Sequence, residues 1–136
     1  MLFRSLDKDT FKVVSKTKPD AEMIEDMVFA WKIAKHVKTN AVVVAKDFKT
    51  LSIVGGQTSR IDAVETALDR ACDGAKKAVI ACDGFIPAID SIQVAAQCRI
   101  GGIIQTGGTH KDKDVVDAAN KYEIAMITTG IRHFKH

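Results

Sequence analysis

Asn40-Ala41-Val42-Val43-Val44-Ala45-Lys46-Asp47-Phe48-Lys49-Thr50-Leu51-Ser52-Ile53-Val54-Gly55-Gly56-Gln57-Thr58-Ser59-Arg60 is the stretch whose reading decides the fold. Two runs rich in β-branched residues, Val42–Val44 and Leu51–Val54, flank a turn at Asp47–Lys49. That pattern predicts a β-hairpin. The hairpin delivers a glycine pair to the start of a helix, with Thr58 or Ser59 as the N-cap. Glycines let backbone approach a ligand closely, and the N–H groups at a helix start attract anions. A second copy of the arrangement follows: apolar Gly102 to Gln105, then Thr106-Gly107-Gly108-Thr109 and another helical stretch. Two such loops in a small domain predict a site for a small molecule bearing a phosphate or carboxylate.

Outward from this stretch, strands and helices alternate. Phe11 to Val14 reads as a short strand, and Asp20 as the N-cap of a helix running to about Val37. Ile24, Met27, Val28, Trp31 and Ala34 share one face of it. After the hairpin, a helix over about Arg60 to Asp73 turns Ile61, Val64, Ala67, Leu68 and Ala71 inward. Ala78 to Cys82 reads as a buried strand, and Phe85 to Ala88 as a loop held by Pro87. A helix beginning at Asp90 or Ser91 runs to about Arg99. A strand to Gln105, a helix from about Asp112 to Tyr122 and a last strand at Ile124 to Thr128 complete the pass. The alternation predicts an α/β fold: a three-layer α/β/α sandwich with a mixed, mostly parallel sheet whose first two strands pair antiparallel. Residues 1–10 read as an arm and 11–136 as one domain.

Composition bounds the function. The 136 residues, 46% apolar and 27% charged, fit one globular domain. A net charge of +3 with scattered lysines argues against nucleic acid as a partner. No apolar run approaches the ~20 residues that cross a membrane, and the Met1 end does not read as a signal peptide, so the expected location is cytoplasmic. Cys72, Cys82 and Cys98 are odd in number and widely spaced, which argues against a disulfide framework.

In open α/β sheets ligands sit beyond the carboxyl ends of the strands. Four segments are expected there: Gly55 to Arg60, Cys82 to Asp90, Thr106 to His110, and Thr128 to Arg132. Arg60 offers five fixed donors for an oxyanion or a carbonyl; its bland alternative is a solvated helix residue. Asn40 offers a donor and an acceptor, and competes with a reading as a helix C-cap. Lys35-His36 reads as charge placed at a helix end. The zinc-deaminase ligand patterns H-x-E and P-C-x-x-C do not occur, and His133 with His136 make a poor metal site.

Phe29-Ala30-Trp31-Lys32, Lys35 to Ala41, Gly56 to Arg60, Asp83-Gly84-Phe85-Ile86-Pro87 and Arg132-His133-Phe134-Lys135-His136 stand in an order and spacing that resemble the C-terminal half of AICAR transformylase. This is the formyl-transfer domain of the bifunctional purine-biosynthesis enzyme that also carries IMP cyclohydrolase. The resemblance spans roughly Phe11 to His136 and implies a cytidine-deaminase-like sandwich. It implies that Asn40, Arg60, Phe85 and Arg132 contact the AICAR nucleotide, and that Ile61, Asp90, Thr109 and His110 line the site of 10-formyltetrahydrofolate, the formyl donor. No metal is implied. The family's cyclohydrolase domain, the first transformylase half and its catalytic Lys-His pair lie upstream of the matched region. The expectation is therefore a half-site, inactive alone, that works as a homodimer or with the missing half. The alternative is a stand-alone, non-catalytic purine-nucleotide-binding dimer with a regulatory role. One departure stands out: Phe85-Ile86-Pro87-Ala88-Ile89-Asp90 replaces the family's Phe-Phe-Pro-Phe-Arg-Asp, removing an aromatic wall and an arginine.

Overall fold

The computed structural model describes residues 11–130. The expected arm at 1–10, and Arg132, His133 and His136, lie outside the described residues. The elements are β1 (Lys12–Val13), α1 (Ala21–Ala34), β2 (Val42–Lys46), β3 (Lys49–Val54), α2 (Arg60–Ala71), β4 (Val79–Cys82), α3 (Asp90–Gln97), β5 (Gly102–Gln105), α4 (Asp112–Lys121) and β6 (Ala125–Thr128), with a 3-10 turn at Cys72–Ala75 after α2.

One sheet runs in the order β1-β6-β5-β4-β2-β3. The hairpin pairs antiparallel, Val42 opposite Val54 and Val43 opposite Ile53. β2 also pairs antiparallel with β4, whereas β4–β5 and β5–β6 are parallel and β1 closes the far edge antiparallel to β6. Four strands (β3, β4, β5 and β6) thus point one way, and their carboxyl ends meet at one edge beside the amino end of β2.

Strand residues alternate between two cores because successive side chains leave opposite faces. Val43, Ala45, Val79, Ala81, Ile104 and Ile127 pack under α1, against Met27, Val28, Trp31 and Ala34. Val42, Val44, Ile80, Ile103 and Met126 pack under α2, α3 and α4. This is the three-layer sandwich expected, with one helix on one face and three on the other. The continuous apolar runs of β4 and β5 follow from burial on both faces. α1 rests so closely on the sheet that a Cβ at Gly102 would come within 2.8 Å of Met23 Sδ.

Local signals set most boundaries. Asp20 Oδ1 accepts the Met23 N–H at 2.8 Å, and Ser59 Oγ accepts the Asp62 N–H at 3.2 Å, so both expected caps are made. α1 stops at Ala34, short of Val37, because the ladder tightens: His36 N bonds Ile33 O and Val37 N bonds Ala34 O. In α2 the inward residue at the first turn is Ala63, and Ile61 is only half-buried. No helix among the described residues is long and apolar enough to cross a membrane.

Candidate functional site

Arg60 is the first residue of α2, fixed by the Ser59 cap. Helical side chains lean toward the start of their own helix, which carries this one over the sheet edge. It is only 6% exposed. Nη1 donates to Ala41 O at 2.7 Å, and Nη2 donates to Asp83 Oδ1 at 2.8 Å and to Asn40 Oδ1 at 3.2 Å. The same Asp83 oxygen accepts the Ala41 N–H at 3.2 Å. Asn40 Nδ2 and Asn40 N both donate to Gln57 O, at 3.1 and 3.2 Å. The amino end of β2, the start of α2 and the carboxyl end of β4 are therefore one hydrogen-bonded unit.

Two expectations change here. Arg60 is neither a solvated helix residue nor an open cationic fork; it is half of a buried ion pair. Asn40 is not a C-cap, since α1 ends at Ala34, and its amide joins Gln57 to Arg60. Asp83 was not among the expected contact residues. Its sequence signal was a carboxylate directly following the wholly apolar Ala78 to Cys82. A charge at the end of a doubly buried strand needs a partner. Arg60 Nε and Asp83 Oδ2 are buried without a hydrogen-bond partner among the described residues. Beside them, burial pushes the Cys82 thiol up to about 11, with Arg60 pulling it down and Asp83 pushing it up.

The glycine loops also differ from expectation. Gly56 N donates to Lys38 O at 2.8 Å, and a Cβ on Gly55 would meet Val37 Cγ1 and, at 3.0 Å, the Lys38 carbonyl. In the second loop Asp112 Oδ2 accepts the Gly108 N–H at 2.7 Å, while Oδ1 accepts from Thr109 N and Oγ1, each at 3.3 Å. These N–H groups were expected to face an anion. They are bonded within the chain, and the carboxylate at the start of α4 is its own.

The remaining expected residues spread along the same edge. Phe85 is half-buried in a loop pinned by Gln105, whose Oε1 accepts the Ile86 N–H at 2.8 Å. Ile61 is half-buried at the start of α2. Asp90 is exposed, and its Oδ1 accepts the Ser91 N–H at 2.7 Å. Thr109 is half-buried and tied to Asp112, and His110 is exposed. A cleft of about 440 Å³, whose lining does not include Arg60, has Pro87, Ala88, Ile89 and Gln93 on one side and Lys111 and Tyr122 on the other. Asp90 and His110 are chain neighbours of its lining. Lys35 Nζ lies 5.6 Å from the Trp31 ring centre, and His36 is exposed. No group of three His, Cys, Asp or Glu able to hold a metal occurs among the described residues.

A family model described as "AICARFT/IMPCHase bienzyme" matches residues 3–70. The chain belongs to that family. It is 52% identical to the bifunctional purine biosynthesis protein PurH of Caldicellulosiruptor saccharolyticus, over 98% of this chain and 26% of that protein. It is 46% identical to PurH of Aquifex aeolicus, over 96% and 27%. The chain thus spans about a quarter of the length of the AICARFT/IMPCHase relatives it matches. Among solved structures, RibD of Acinetobacter baumannii aligns with a TM-score of 0.49 at 14% identity, over 76% of this chain and 33% of that one.

Proposed function

We propose that this chain forms the nucleotide-binding half of an AICAR formyltransferase site of purine biosynthesis. The observation that carries the reading is the Asn40–Arg60–Asp83 unit. Three chain segments converge at the carboxyl edge of the sheet, and polar atoms remain there without a protein partner. A structural salt bridge alone would be expected to satisfy both its members. Phe85, directly after this unit, supplies an apolar surface beside it for a planar base, and Arg132 supplies the cation for the phosphate.

The chain's own contribution is binding and orientation. 10-Formyltetrahydrofolate supplies the formyl carbon when bound. Ile61, Asp90, Thr109 and His110 are the residues we assign to it, and Asp90 and His110 are chain neighbours of the lining of the cleft at Ala88 and Ile89. Formyl transfer also needs a group to take the proton of the attacking amine. Lys35 stacked on Trp31 and the exposed His36 do not serve, so that group comes from the preceding half or from a second subunit, in the cytoplasm.

The test is titration of the 136-residue chain with AICAR nucleotide, followed by NMR. Weak binding is expected, with a dissociation constant between about 1 µM and 1 mM, as suits part of a site. Shifts should centre on Asn40, Gly55 to Arg60 and Phe85. Formyl transfer should be absent for the chain alone and present when the preceding portion of a PurH relative is added. Shifts confined to the α3–α4 cleft, or none, would overturn the reading. The non-catalytic regulatory reading draws on Ala88 and Ile89, which leave the folate side without its aromatic wall. Nucleotide binding with no turnover in the complemented system would favour it.

A further inference from the structure

We propose that Asp83 is the residue that sets the specificity of this site: it holds the Arg60 guanidinium in place and cancels its charge, which withholds Arg60 from phosphate and other small anions. The inference rests on the reading that the Arg60 cluster belongs to the nucleotide site, and it gives a role to a residue to which the family resemblance assigned none.

A buried guanidinium presented alone at a sheet edge would draw an anion, because its planar fork matches phosphate and carboxylate. Asp83 already provides that anion. Its oxygen lies 2.8 Å from Nη2, and its side chain is 0% exposed, so the pair attracts in a poorly screened setting. Of the five guanidinium N–H groups, Nη2 spends both of its own on Asp83 and Asn40, and Nη1 spends one on Ala41 O. The Nη2 edge has no donor left for an incoming anion. Among the described residues two donors, Arg60 Nε–H and the second Nη1 N–H, and one acceptor, Asp83 Oδ2, stay unpartnered. The Arg60–Asp83 pair as a whole is electrically neutral, and the free acceptor repels a phosphate.

Asp83 cannot easily swing aside. Its Oδ1 also receives the Ala41 N–H, and its own N–H donates to Ala41 O at 3.3 Å. Moving it would break the β2–β4 seam where the strands leave the sheet. The two charged groups contact Ala41, Asn40 and the apolar end of β4 at Cys82, and among the described residues no second cation is bonded to Asp83. Asp83 is thus a positioning residue acting through Arg60.

The Arg60 side-chain N–H signals of the full 136-residue chain, followed by NMR during titration with inorganic phosphate, test this. In the parent these signals are expected to show a held guanidinium and no saturable response to phosphate. Asp83→Asn keeps an acceptor at the same place but removes the charge. It should free the rotation of the guanidinium and raise phosphate affinity at Arg60 by about tenfold or more, the size of one charge-assisted bond. Asp83→Glu, which keeps the charge, should leave phosphate excluded. Arg60 signals in the parent that average freely, or move saturably with phosphate, overturn the proposal without any variant. So does a folded Asp83→Asn protein that remains blind to phosphate. Should Asp83→Asn not fold, the parent titration alone decides. A chain that fails to bind AICAR nucleotide, yet shows a held, phosphate-blind Arg60, removes the functional reading and with it the role of Asp83 in specificity, and leaves only the neutralised, phosphate-excluding Arg60 standing.

Discussion

Asp112 Oδ2 accepts the backbone N–H of Gly108 at 2.7 Å, so the start of α4 is closed by a carboxylate four residues along its own chain. A glycine loop leading into a helix looks like an anion site in sequence. Here the first turn of the helix fills that site from within. Asp112→Ala should cost about 1 kcal/mol, typical of losing a side-chain acceptor at a helix start. Amide exchange at Gly108 and Thr109 should quicken. Urea denaturation with hydrogen exchange checks both, and unchanged exchange at Gly108 would show that the bond does not hold the loop.

Removing Arg60 should affect stability before it affects ligand binding. Asp83 would be left as an unpaired charge inside the sheet edge. Breaking a buried pair on one side costs about 3–5 kcal/mol, whereas replacing both members by apolar groups is often near neutral. Arg60→Ala is therefore expected to lower stability by that order, and Arg60→Met with Asp83→Leu to recover much of it. Equal stability losses for the single and double variants would contradict the pairing.

Asp26 ties α1 to the tip of the hairpin. It is 8% exposed, and its carboxylate accepts the N–H groups of Asp47 at 3.1 Å and Phe48 at 3.0 Å. Both turn residues have positive φ, 54° and 60°, a conformation unusual for a side chain as bulky as phenylalanine. The carboxylate offsets that strain. Asp26→Ala should destabilise by about 2–3 kcal/mol, and Asp26→Asn by less, since an amide oxygen still accepts. Chemical denaturation of the two variants against the parent is the measurement. Near-parent stability for Asp26→Ala would mean that the turn holds itself.

Cys82 should make stability fall in alkali. Its folded pKa, pushed up to about 11 by burial, lies above the ordinary value of 9.0. Between the two the unfolded chain has lost the proton and the folded one keeps it. The contribution is complete below about pH 9 and is lost as pH rises toward 11, by on the order of 2 kcal/mol. Denaturation at pH 8 to 11 should show a steeper decline for the parent than for Cys82→Ala. Parallel declines would assign the alkaline loss to other groups.

Sequence alone determined the order and type of the elements, the hairpin, the Asp20 cap and helices on both faces of the sheet, and it narrowed the second cap to Thr58 or Ser59. Each is written in neighbouring residues: Val42 to Val54 carry their own turn, Asp20 and Ser59 lie next to the helices they cap, and apolar spacing marks which face is buried. It also named the edge where the segments bearing Arg60 and Phe85 end, because strand direction follows from the alternation. Tertiary structure alone decided what those residues do there. Arg60 and Asp83 are 23 positions apart and meet only because β2 lies between β3 and β4. That strand order cannot be read from any local period. Gln105 pins the loop at Ile86 for the same reason, since β5 lies beside β4. A polar group's partner depends on which strands become neighbours, whereas its place in a helix or strand depends only on the residues beside it.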